Sequence, residues 1–110
     1  MQNLLTEIIA QSQQSDNLLP PELRATKLME EVGEFAETVM VAHGYLKHKS
    51  PKERPEGEAA DVIICVLDTL AGVYPQFDPS DILYLLMKQL KLKRAKWAKV
   101  TQEHYSANYE

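Results

Sequence analysis

Glu58-Ala59-Ala60-Asp61-Val62-Ile63-Ile64-Cys65-Val66-Leu67-Asp68-Thr69-Leu70-Ala71-Gly72-Val73 is the stretch on which the reading of this chain turns. From Ala59 onward it is apolar nearly all round a helix, and such a helix is buried on every side. Its longest unbroken apolar run, Val62 to Leu67, is far too short to span a bilayer. The chain has 110 residues, enough for one domain. Few neighbours are therefore available to this helix within one copy. The pattern predicts that a second copy packs against it, in a dimer with a two-fold interface.

Outward from this helix the chain reads as helical throughout. No segment alternates apolar and polar residues between Gly-rich turns, as strands do. Leu4, Leu5, Ile8 and Ile9 form the stripe of a short first helix, which ends in the polar run Gln11 to Asn17. A second helix begins at Pro21, a residue suited to a first helical position. Its apolar face is read as Leu28, Met29, Val32, Phe35, Ala36, Val39 and Met40, with Gly44 as the left-handed stop. Tyr45 to Pro55 is a basic loop, with a short turn expected at Ser50-Pro51-Lys52-Glu53. Pro55 starts the third helix, which runs to about Val73. Asp78-Pro79-Ser80-Asp81 starts a fourth that continues past Trp97. The expected architecture is all-α: an antiparallel bundle of four helices over residues 1–100, completed by dimerisation, with 101–110 as a C-terminal tail.

Composition narrows the function classes. Apolar residues make up 45% of the chain, which argues against disorder. The net charge of −4 argues against nucleic-acid binding by the whole surface. The charge is uneven, however: six of the twelve Lys and Arg residues lie between Lys88 and Lys99. The single cysteine, Cys65, sits in an apolar run and reads as a small core residue, in keeping with a reducing cytoplasm. Met1 to Gln14 has neither the basic start nor the long apolar stretch of a signal peptide. No membrane association is expected.

The chemistry rests on carboxylates. Glu58 and Asp61 lie roughly 60° apart around the third helix and about 4.5 Å apart along it, and Asp68 returns to nearly the same stripe seven residues later. An ionised carboxylate without a partner on a buried helix is very costly, so something positive must face this line. The second helix carries a matching pair, Glu31 and Glu34, at the edge of its apolar face, with Lys27 between them and Thr38 beside them. Glu30 and Glu37 point to the other flank. If the two helices run antiparallel, the two acidic pairs meet. Four converging carboxylates call for a hard cation, Mg²⁺ or Mn²⁺. Zinc would want His or Cys, which are absent at useful spacing. No glutamate precedes His43, His48 or His104 by three residues, so a di-iron site is excluded.

Lys27-Leu28-Met29-Glu30-Glu31-Val32-Gly33-Glu34, followed by Glu58-Ala59-Ala60-Asp61, resembles the Glu-Glu-x-x-Glu and Glu-x-x-Asp motifs of the MazG-like all-α nucleoside triphosphate pyrophosphohydrolases. The resemblance covers roughly residues 20 to 100. It implies that Glu31, Glu34, Glu58 and Asp61 hold Mg²⁺. It also implies hydrolysis of a (deoxy)nucleoside triphosphate to the monophosphate and pyrophosphate, with cleaning of the nucleotide pool as the expected role. Lys88, Lys91, Arg94 and Trp97 echo a basic pattern of the same family, although the Asn common in that stretch is missing here. Such hydrolysis needs charge neutralisation, an acid to accept the proton of water, with Glu34 or a neighbour in that role, and basic groups for the leaving pyrophosphate. Lys27, Lys88, Lys91 and Arg94 are the expected basic contacts. Asp68 is expected either beside the substrate and metal or in an ion pair with Lys88 or Lys91. Trp97 reads as a packing anchor. The rival expectation is a non-catalytic dimeric helical interaction module on the same fold.

Overall fold

The computed structural model describes residues 2–14, 19–45 and 53–109. Four helices follow one another: α1 (Gln2–Gln13), α2 (Pro21–Ala42), α3 (Pro55–Val73) and α4 (Pro79–Tyr109). No strand occurs among the described residues. The expected turn at Ser50-Pro51-Lys52 lies outside them. No helix among them is long and apolar enough to cross a membrane.

The helix ends follow from local chemistry. Pro21, Pro55 and Pro79 each occupy the first turn of a helix, where a missing N–H costs nothing. Asp78 caps α4 by accepting bonds from the Ser80 N–H at 3.0 Å and the Ser80 hydroxyl at 2.7 Å. These bonds hold the Asp78 carboxyl below its ordinary pKa. Helix α2 closes with a Schellman motif. Tyr45 N–H bonds the Met40 carbonyl at 2.9 Å and Gly44 N–H bonds that of Val41 at 3.0 Å. This requires the left-handed φ of +80° that Gly44 adopts.

Helix α4 is longer than the sequence reading allowed. It continues through the stretch set apart as a tail, because residues 80–110 contain no Gly or Pro to stop it. Every described side chain from Lys88 to Glu103 is exposed, and Trp97, read as a packing anchor, is 75% exposed.

The apolar core lies where α1, α3 and α4 meet. Ile9, Leu67, Ala71, Ile82 and Leu83 are buried there, with Leu5, Ile8, Leu70, Leu86 and Met87 packed around them. Gln13 ties the end of α1 to the α3–α4 connection, donating to the carbonyls of Phe77 at 2.8 Å and Tyr74 at 3.3 Å. Helix α2 packs on α3 alone. Its inward stripe differs from the expected one: the buried residues are Arg24, Glu31 and Thr38, seven apart and so nearly on one line. Of the seven positions read as core, Met29, Val32, Ala36 and Met40 are exposed, with Met29 at 75%, while Leu28, Phe35 and Val39 are half-buried. On α3, Ile63, Ile64 and Val73 are exposed as well. The α2–α3 pair thus buries charge between its helices and leaves aliphatic surface outside.

Candidate functional site

The α2–α3 contact is antiparallel, with Arg24 near the start of α2 meeting Asp68 in the second half of α3. The same register sets Glu31 against Glu58. One carboxylate oxygen each from Glu31, Glu34 and Glu58 lies within 4.8 Å of the others. A second trio, Glu53, Glu58 and Asp61, satisfies the same limit, so Glu58 belongs to both. Glu31 and Glu58 are buried, at 8% and 6% exposure, Asp61 is half-buried and Glu34 is exposed. The set therefore opens to solvent through Glu34.

These buried acids are incompletely satisfied. Glu31 accepts an ion pair from Lys27 at 3.1 Å through Oε1. Its Oε2 is buried with no hydrogen-bond partner, and so is Oε2 of Glu58. Buried polar atoms are nearly always paired, so two orphan oxygens in one cluster of like charge are unusual. Burial pushes the Glu58 carboxyl above its ordinary pKa, and Glu53, Glu34, Asp61 and Glu31 push it further. All the donors are carboxylate oxygens, the set that suits a hard divalent cation. An ion with bonds of about 2.1 Å sets opposite ligands about 4.2 Å apart, which oxygens lying within 4.8 Å of one another can accommodate.

Of the expected acids the structure therefore brings Glu31, Glu34 and Glu58 together, while Asp61 meets Glu58 in the second trio and is not grouped with Glu31 and Glu34; Lys27 stands at the rim. Lys27 is engaged by Glu31, and by Glu30 at 3.8 Å, rather than free. The bond from Glu31 raises its pKa. Lys88, Lys91 and Arg94 are not brought to the acids within one chain. They lie on the exposed part of α4, which does not touch α2.

Asp68 pairs with neither Lys88 nor Lys91. Its cation is Arg24, buried to 4% exposure, which donates through Nη1 to the Asp68 carbonyl at 2.6 Å and to Oδ1 at 3.2 Å. Arg24 Nε reaches the Leu19 carbonyl at 2.6 Å. One guanidinium thus fixes the lead-in to α2 and the register of α2 on α3. Arg24→Ala is expected to cost about 2 kcal/mol, mostly through the charged bonds to two backbone carbonyls. The partly exposed Asp68 carboxylate contributes less. Urea denaturation of the variant measures this, and an unchanged midpoint would contradict it.

Cys65 is half-buried, and burial, followed by Glu31 and Asp68, pushes its thiol pKa up. The shift disfavours the thiolate, the reactive form of cysteine. Two residues escaped the sequence reading. Arg24 stands seven residues before Glu31 on one helical stripe, which was a usable signal. Glu53 stands before the helix start at Pro55, where no helical periodicity reaches it.

Compared with protein-family models, curated proteins and solved structures, the chain gives no significant match to any of them.

Proposed function

We propose that this chain is a Mg²⁺-dependent hydrolase, with Mn²⁺ as a possible substitute, that converts a (deoxy)nucleoside triphosphate to the monophosphate and pyrophosphate. In this reading it acts in the cytoplasm as a homodimer that clears unwanted nucleotides from the pool. The observation that carries the reading is the pair of buried, unpartnered oxygens, Glu31 Oε2 and Glu58 Oε2, within a cluster of carboxylates. Isolated, these oxygens are costly; facing a cation and an anionic substrate, they have a purpose. The motif resemblance to MazG-like pyrophosphohydrolases supports the same reading.

The residues divide the work. Glu31, Glu34, Glu58 and Asp61 supply the ligands of the cation centre. Bound there, the cation would neutralise triphosphate charge and acidify water. Glu34, the exposed acid, is the member best placed to accept a proton from solvent water. Lys27 at the rim meets the phosphates. Lys88, Lys91 and Arg94 hold the pyrophosphate only where a second copy sets its α4 across the acids of the first. Arg24 and Asp68 keep α2 and α3 in register, so that Glu31 and Glu58 meet.

A second reading has its own support. The basic groups of α4 stand away from the acids in the single chain, and aliphatic surface is open on α2 and α3. Both features fit a dimeric interaction module without catalysis. A panel of nucleoside and deoxynucleoside triphosphates, scored for pyrophosphate release with Mg²⁺ and with Mn²⁺, separates the two. Release from at least one substrate is expected. Silence across the panel with both ions would favour the interaction module.

A further inference from the structure

We propose that Glu53 is a fifth carboxylate of the acid centre and that, with Glu58 and Asp61, it forms a second divalent-cation position beside the one built on Glu31, Glu34 and Glu58. The inference rests on the reading of the centre as a cation site and adds to it a residue that lies outside both helical acid motifs.

A glutamate ahead of a helix start would ordinarily extend into water. Glu53 instead folds back over the first turn of α3. Its carboxylate crowds the space above Gly57, where a Cβ would come within 2.8 Å of Glu53 Cδ and closer still to Oε1. The nearest basic neighbour among the described residues does not explain this position, since Arg54 pairs with Glu56 at 3.0 Å. The folded-back carboxylate lies within 4.8 Å of oxygens of both Glu58 and Asp61. Three like charges gather with no ion pair to any of them among the described residues, and one of them, Glu58, is buried with an orphan Oε2.

Glu58 is the hinge of the arrangement. It is the only residue common to the two trios among the described residues. A carboxylate has two oxygens and can serve two cations at once. Sharing Glu58 resolves what a single ion leaves over: Glu53 and Asp61 on one side, Glu31 and Glu34 on the other. The donors are all oxygen, so the ligand class is a hard divalent ion, Mg²⁺ or Mn²⁺.

The test counts ions rather than turnover. Mn²⁺ is titrated into the full chain, with free Mn²⁺ followed by electron paramagnetic resonance. Wild type is expected to bind two Mn²⁺ per chain. Glu53→Gln is expected to retain one and to weaken the other by about tenfold or more, the scale of a lost partner at a metal site. Gly57→Ala should reproduce that loss, because its methyl displaces only the flexible end of Glu53. The alanine also favours the helix, so its melting temperature should hold or rise while the second ion weakens. Glu31→Gln should weaken the other ion and spare the one that depends on Glu53. If Glu53→Gln and Gly57→Ala bind Mn²⁺ as wild type does, while Glu31→Gln loses an ion, the role of Glu53 is overturned and the parent site stands. If wild type binds no Mn²⁺, both fail.

Discussion

Glu58→Gln is expected to lower pyrophosphate release by at least about 100-fold while leaving the ion-free protein no less stable than wild type. The loss in rate is set at the upper end of what removal of a supporting group at a metal site brings, since Glu58 touches both acid trios. The stability half of the prediction distinguishes a functional acid from a structural one. Glu58 is buried among like charges with an orphan oxygen, so its charge is unfavourable to the ion-free fold. An amide of the same shape removes that charge.

The sign can be followed with pH. The Glu58 carboxyl is held above the usual 4.5, first by burial and then by its acidic neighbours. A raised pKa means that the folded chain holds the proton more tightly. Its contribution is complete below the usual value and is lost as pH rises through the raised one. Ion-free wild type should therefore lose stability across that window, and Glu58→Gln should lose less. Mg²⁺ should reverse the order: wild type gains by mass action, about 2.7 kcal/mol at a hundred times the dissociation constant, and the variant gains little. Thermal melts with and without Mg²⁺, paired with the release assay, measure both halves. An active Glu58→Gln, or one that is destabilised without ions and still responds to Mg²⁺, would sink the assignment.

Much of this architecture could be read from the residues. Proline at the first helical position and Gly44 at a left-handed stop are local signals, and local chemistry sets helix ends. The meeting of Glu31 and Glu34 with Glu58 was also legible, because i, i+3 spacing and an antiparallel pair leave few registers. The facing of α2 was not. Periodicity identified one apolar face, Leu28, Met29, Val32, Phe35, Ala36, Val39 and Met40, and assigned all of it to the core, where Met29, Val32, Ala36 and Met40 prove exposed. In the single chain the polar stripe Arg24, Glu31 and Thr38 turns inward. A hydrophobic stripe tells which surface avoids water, and another copy can cover it as well as the chain's own core can. The distance of Lys88, Lys91 and Arg94 from the acids within one chain was not legible for a related reason: their spacing along α4 says nothing about which helix α4 meets. Asp68 needed a cation, and the reading offered Lys88 or Lys91 on α4 without considering Arg24. The register of α2 on α3, a tertiary property, decides that choice.

The same uncovered stripe gives the other large expected effect. Ile63→Glu should convert a dimer into monomers and remove activity, although the substitution touches no buried position in the chain. Ile63 is 52% exposed, beside Ile64 on α3, with Met29, Val32 and Met40 exposed on α2. Within one copy a glutamate there meets water and costs little. In a two-fold interface the charge is buried twice, once from each copy, and an unpaired buried charge is among the most destabilising changes known. Sedimentation velocity over a range of concentrations reads the outcome directly. Wild type should sediment as a dimer whose melting temperature rises with concentration, and Ile63→Glu as a monomer whose melting temperature does not. Ile82→Ala is the contrasting variant. Ile82 is 1% exposed in the core shared by α1, α3 and α4, so its truncation should cost about 2–5 kcal/mol and leave the association state alone. If the monomeric Ile63→Glu still hydrolyses triphosphates at the wild-type rate, the acids work without a second copy's α4, and Lys88, Lys91 and Arg94 leave the mechanism. If wild type itself sediments as a monomer, the aliphatic face of α2 and α3 has some other use, and the dimer falls.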